Sequence, residues 1–139
     1  MLDKRIIKFI NEHHLLTLST VNKNIPYCCN VFYVYNEISN SLIFSSDSKT
    51  KHVQDFIENP RVAGSIAIET RKINEIQGLQ LLGDITEPLS NELTTLKSMY
   101  INAFPYASNM QIHLWEMNLN FIKMTHNQLG FGNKLIWEK

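Results

Sequence analysis

Hydrophobic and polar positions alternate along this chain with two different periods. Leu2, Ile6, Phe9, Ile10 and His13 recur at helical spacing and predict an amphipathic helix over residues 2–13. Leu15 to Val21 reads as a strand, Asn22-Lys23-Asn24 as a turn, and a second strand leaves from Ile25-Pro26. From Tyr27 to Tyr35 that strand is apolar or aromatic on both faces, so one face should meet something other than solvent. After a polar turn over residues 36–41, a third strand runs from Leu42 to Ser46. The helix that follows carries Val53, Phe56 and Ile57 on one stripe and stops at Asn59-Pro60. Arg61 to Thr70 is a strand in which Ala63, Gly64, Ser65 and Ala67 suggest close approach of backbone or ligand. Ile76 to Thr86 is a long strand with Gly78 and Gly83 as bends or bulges. Ser90 is suited to cap a helix built on Leu93, Leu96, Tyr100 and Phe104, and Pro105 ends it. Ile112 to His126 is strand-like, with a break expected near Asn118 or Asn120. The tail from Leu129 to Trp137 sets Gly130 and Gly132 between apolar residues.

Six strands with hairpin-length connections, interrupted by three helices, predict a mainly β fold: an antiparallel barrel with flanking helices. Strands and helices do not alternate strictly, which argues against a doubly wound parallel sheet. No repeat, linker or low-complexity segment divides the chain, so residues 1–139 are expected to form a single domain.

One stretch breaks the usual charge rule. Leu42-Ile43-Phe44-Ser45-Ser46-Asp47-Ser48-Lys49-Thr50-Lys51-His52 runs from an apolar strand through hydroxyls into the first turn of a helix. The positive end of a helix dipole favours acids, yet this turn carries Lys49, Lys51 and His52. Cations belong there if an anion sits among them, and free N–H groups, hydroxyls and two ammonium groups make a phosphate cradle. Surface lysines on a solvated helix start are the plainer reading of the same residues.

Composition narrows the partners. Apolar residues make up 44% and charged residues 19% of the 139, as in a folded domain with a real core. Lys plus Arg balance Asp plus Glu at 13 each, so general nucleic-acid or anionic-membrane binding is not expected. The adjacent Cys28 and Cys29 cannot staple distant segments and read as small core residues. No signal-like apolar core follows Met1 and no run is long enough to span a membrane, so the expected location is the cytoplasm.

The order helix, hairpin, strand, Lys49-Thr50-Lys51-His52 on a helix start, Asn59-Pro60-Arg61-Val62, then a long strand with Gln77-Gly78 and Gly83, resembles the pyridoxamine 5′-phosphate oxidase-like, FMN-binding split-barrel superfamily. It is most similar to a small uncharacterised bacterial subfamily sharing Gln77-Gly78-Leu79-Gln80, Trp115-Glu116 and an ending like Leu129-Gly130-Phe131-Gly132-x-Lys134-x-x-Trp137. The resemblance covers nearly the whole chain. It implies a homodimer of six-stranded antiparallel split barrels holding FMN in a cleft between subunits. Asn30, Val31 and Phe32 would pass along the flavin ring. Ser45 and Ser46 would approach the ribityl chain or phosphate, and Lys49, Thr50, Lys51 and His52 would hold the phosphate. Gln77 would bond the pyrimidine edge, and Trp115 and the aromatic tail would lie near the dimer seam.

Two departures qualify that implication. The oxidases carry an Arg and a Lys on the second strand, where this chain reads Cys28-Cys29-Asn30-Val31-Phe32-Tyr33-Val34-Tyr35, and their Arg-rich C-terminal substrate motif is missing. Oxidation of pyridoxamine phosphate is therefore not expected. The two functions carried forward are an FMN-dependent oxidoreductase of unknown substrate and a non-enzymatic binder of heme, flavin or another anionic ligand. Flavin performs electron chemistry itself, so the lack of an obvious catalytic dyad does not count against an enzyme. His13-His14 reads as a helix end, and His113, Glu116 and His126 lack the second spaced pair that a metal site needs.

Overall fold

The computed structural model describes residues 1–139. Along the chain run α1 (Lys4–Glu12), β1 (Leu15–Asn22), β2 (Ile25–Asn36), β3 (Ser41–Ser45), α2 (Lys51–Glu58), β4 (Arg61–Ala67), β5 (Gln77–Thr86), α3 (Ser90–Ala103), β6 (Leu114–His126) and β7 (Lys134–Glu138). The strands form one antiparallel sheet in the order β3-β2-β1-β4-β5-β6-β7, and β3 also pairs with β6. That last pairing closes six strands into the expected split barrel. The tail adds a seventh strand outside the ring, with Leu135 and Trp137 opposite Met124 and Ile122 of β6.

Inward-facing residues of every barrel strand form one core, among them Leu16, Leu18, Val31, Phe44, Ile66, Leu81, Met117 and Ile122. Burying a side chain of this size stabilises by about 1.5–3 kcal/mol. α1 starts at Asp3, whose carboxylate accepts the Arg5 N–H, and it buries Ile6, Phe9 and Ile10. His13 closes it by bonding the Phe9 carbonyl through Nδ1 at 2.8 Å, as a helix-end histidine should. α2 sets Phe56 against Trp115 and Phe44, edge to face, at 4.9 and 6.1 Å between ring centres. α3 covers the outer side of β3, where Ile43 and Leu114 pack on Leu96 and Tyr100.

Four local expectations are corrected. Ile57 is 56% exposed and its place in the buried stripe of α2 belongs to Asp55. Ser90 is the first residue of α3 and makes no side-chain cap. β6 is unbroken; Asn120 is instead a bulge, because Leu82 pairs with Phe121 and Gly83 with Leu119. The bulged Asn120 is held by Asp84 Oδ2 at 2.8 Å and its carbonyl accepts the Lys139 N–H. Cys28 is exposed on the outer face, and only Cys29 leans on the core. Burial, then the neighbouring Cys28, pushes the Cys29 thiol up to about 11, so it stays protonated and unreactive at neutral pH.

Glycine is required at position 83, where a Cβ would collide with the carbonyl oxygen of Asn118 across the bulge. Gly83→Ala should therefore lower stability by about 1–3 kcal/mol, as overpacking does. Urea unfolding at unchanged slope checks this; a variant as stable as the wild type would show that the bulge yields freely.

Candidate functional site

The β3–α2 corner is built by hydrogen bonds that leave it little freedom. The Ser46 N–H bonds the His113 carbonyl at 3.0 Å, and Trp115 Nε1–H bonds the Ser46 carbonyl at 3.0 Å. Asp47 then folds the chain into the helix: its Oδ1 accepts the Lys49 N–H at 2.8 Å, and its carbonyl accepts both the N–H and the hydroxyl of Thr50. Thr50 sits at the N-cap position, yet its hydroxyl points back at Asp47 instead of capping. The first bond inside α2 is donated by Gln54 to Thr50. The N–H groups of Lys51, His52 and Val53 thus have no acceptor in the protein, which is the anion-receptive state of a helix start.

The cations are arranged less simply than their spacing suggests. Lys51 Nζ lies 3.1 and 3.2 Å from the two carboxylate oxygens of Asp55, one helical turn on, and 4.9 Å from the centre of the Tyr27 ring. Asp55 is 2% exposed and also accepts the hydroxyl of the buried Thr20 of β1 at 2.9 Å. Burial pushes its carboxyl up, but the bonds from Thr20 and Lys51, with the Lys51 charge, outweigh this and hold it below the usual carboxylate range. His52 Nε2 bonds the Ser46 hydroxyl at 2.7 Å, and burial lowers its pKa against the opposing pull of Asp55, so the ring is neutral at pH 7. Lys49 makes no ion pair. Asp47 and Asp55 together balance Lys49 and Lys51, leaving the helix start close to neutral.

The other sequence-selected residues divide by face. Asn30 and Phe32 project outward from β2, while the Val31 side chain is buried in the core, so Val31 offers a ligand only its backbone. Thr17 of β1 donates to Asn30 Oδ1 at 2.8 Å, and Phe32 stacks on Phe104 with ring centres 5.3 Å apart. Beside them the outer face is made of small residues, since Thr17 pairs with Ser65 and Ser19 with Ala63. Gln77 does not join this group. It starts β5 opposite His126, at the far end of β6 from the Leu114–Asn118 segment that pairs with β3, and its amide faces Gln128 at 3.4 Å. Glu116 is buried and accepts the Ser41 hydroxyl at 2.9 Å, whereas His113 meets Glu87 at the surface, so those two share no site.

Sequence reasoning missed Asp55, because it fell inside an apparently apolar stripe. The Lys51-x-x-x-Asp55 spacing was its signal, since residues four apart on a helix are neighbours. Asp55→Ala should lower stability by about 1–3 kcal/mol, leaving the buried Thr20 hydroxyl only its long 3.5 Å contact with the Tyr27 carbonyl. A carboxyl whose folded pKa is depressed stabilises fully above its unfolded value of about 3.9 and ever less as pH falls through the folded value. The gap between wild type and variant should therefore be constant from neutral pH to about pH 5 and shrink below about pH 4. Urea titrations across that range measure it, and a gap independent of pH would refute the ionised pairing.

No protein-family model matches the chain. It is 37% identical over 134 residues to a UPF0306 protein of Yersinia pseudotuberculosis, covering 96% of this chain and 91% of that one. To a UPF0306 protein of Photorhabdus laumondii it is 34% identical over 134 residues, covering 96% and 94%. Its fold matches a heme binding protein from Mycobacterium smegmatis at a TM-score of 0.80 and 14% identity, over 99% of this chain but 59% of that one. It matches a FAD-binding protein from Mesorhizobium loti at 0.72 and 12% identity, over 88% and 94%, and a NimC/NimA family protein from Clostridium acetobutylicum at 0.71 and 19%, over 98% and 91%. The structural likenesses establish the split-barrel architecture, and the sequence identities establish that this chain belongs to the UPF0306 family.

Proposed function

We propose that this protein is an FMN-binding flavoprotein, an oxidoreductase of still unknown substrate, whose cofactor lies in a cleft completed by a second copy of the chain. The observation that carries the reading is the open start of α2: the N–H groups of Lys51, His52 and Val53 without acceptors, beside the unpaired ammonium of Lys49. Those groups would receive the phosphate. The flat outer surface of Asn30, Thr17, Ser19 and Phe32 would take the ring. FMN supplies electron transfer through its ring, and the protein's part is to bind and orient it. The donors fit a phosphate, but mainly through backbone amides and Lys49, because Lys51 is neutralised by Asp55 and His52 is uncharged.

Two features support a homodimer. Leu15, Phe32, Leu82 and Ile136 are exposed on the outer face of the sheet, apolar surface that a second copy could cover. Gln77, remote from the helix start within one copy, would reach a ring only from the partner subunit. The second reading is a non-enzymatic carrier of heme or flavin on the same dimer. The near-neutral charge of the helix start favours it, since a weak grip suits a ligand that must be released.

FMN should raise the melting temperature, by an amount equivalent to ~2.7 kcal/mol at one hundred times its dissociation constant. Riboflavin, lacking the phosphate, should raise it less, and Lys49→Gln should reduce only the difference between the two. Turnover of reduced nicotinamide by the FMN-loaded protein selects the enzyme; binding of flavin or hemin without turnover selects the carrier. No shift with either flavin would overturn the flavoprotein reading.

A further inference from the structure

A cleft of about 580 Å³ opens between the β3–α2 loop, the start of α3 and the segment that leads into β6. This volume is within the range of small-molecule sites. Ser45 and Ser46 line it, but none of Lys49, Thr50, Lys51 or His52 does, so it is distinct from the helix-start site. Ser46 turns its hydroxyl to His52, whereas the side chains of Ser45, Ser48, Lys97 and Gln111 have no hydrogen-bond or ion-pair partner within the protein. Ser48, Lys97 and Gln111 are open to solvent and Ser45 is half-buried, so all four can meet a ligand without breaking an existing contact. Leu93, Ile112 and Leu114 add an apolar surface beside them.

The charges in the cleft decide what would fit. Asp47 is turned to the Lys49 amide, and Glu87 bonds His113 Nε2 at 2.7 Å. Each acid therefore has a donor, and Lys97 has no acid within ion-pair distance. A cation would meet Lys97, and a dianion would meet the field of two carboxylates. A monoanion with a small apolar body satisfies the lysine, the hydroxyls and the apolar surface together. His113 is fixed on the wall by Glu87 and by stacking on Trp115, with ring centres 4.4 Å apart, which makes it a rigid side of the cleft.

We propose that this cleft binds a small organic monocarboxylate, with Lys97, Ser45 and Gln111 meeting the carboxylate and Leu93, Ile112 and Leu114 its apolar body. The inference needs no flavin and stands or falls apart from the FMN reading. Benzoate and its uncharged counterpart benzyl alcohol are the probes, followed by amide and side-chain NMR shifts of the full chain. Benzoate should give saturable shifts at Lys97, Gln111 and His113. Lys97→Gln, at an exposed position of α3, should melt as the wild type does and weaken benzoate binding about tenfold, one lost charge-assisted hydrogen bond, while leaving benzyl alcohol unaffected. Ser45→Ala should weaken benzoate with Lys97 intact. Benzoate shifts confined to the start of α2, equal benzoate affinity in Lys97→Gln, or no saturable shift at millimolar benzoate would each overturn the proposal.

Discussion

Pairing of β3 with β6 is the constraint on which the rest of this structure depends. A five-residue strand with Ile43 and Phe44 wholly buried is held on one side by β2 and on the other by β6. Closure removes two free sheet edges and fixes the point at which the chain must leave the barrel. The Ser46 N–H and carbonyl are both tied to the first turn of β6, through His113 and Trp115. Asp47 can then only turn outward, and α2 begins where that turn ends. The orientation of the helix start follows from sheet register before any property of α2 itself is considered.

That geometry explains how a helix start can attract an anion while carrying almost no net charge. Backbone N–H groups are fixed partial charges, so they act whether or not nearby side chains are neutralised. Lys51 serves the fold first: with Thr20 it makes burial of Asp55 tolerable, and so ties α2 to β1. A buried carboxylate without those donors would cost more than the pair gains. Lys51 is therefore committed to holding the helix in place, and a bound phosphate would depend on amides more than on ammonium groups.

The barrel was legible because its signals are local and repeated. Alternation in β1, the small residues of β4 and the proline and glycine stops each constrain one element, and their order specifies the class. What the sequence hid were contacts between positions far apart. Asp55 reads as a polar interruption of a stripe until Thr20 and Lys51 are placed around it. Asn120 reads as a strand breaker until Asp84 and Lys139 receive it. The lysine count at the helix start was correct, but the acids that balance it lie at Asp47, before the helix, and at Asp55, on its inner side. Gln77 reads as a companion of the helix start, yet it meets β6 at His126, the opposite end from the segment that pairs with β3.

The β3–β6 closure also sets how two binding regions could influence one another. Ser45 and Ser46 stand between the helix start and the cleft beneath α3, and Ser46 bonds His52 on one side and the backbone of His113 on the other. Both contacts of Ser46 are short, and its backbone is fixed by the sheet. A ligand that drew His52 away from Ser46 would free a hydroxyl at the edge of the cleft without moving a strand. Coupling of this kind requires only a change of hydrogen-bond partner, which a rigid barrel permits where a shift of β3 would break its pairing with both neighbours. The corner that sheet pairing holds in place is therefore also the one where two ligands would share a hydrogen-bond partner.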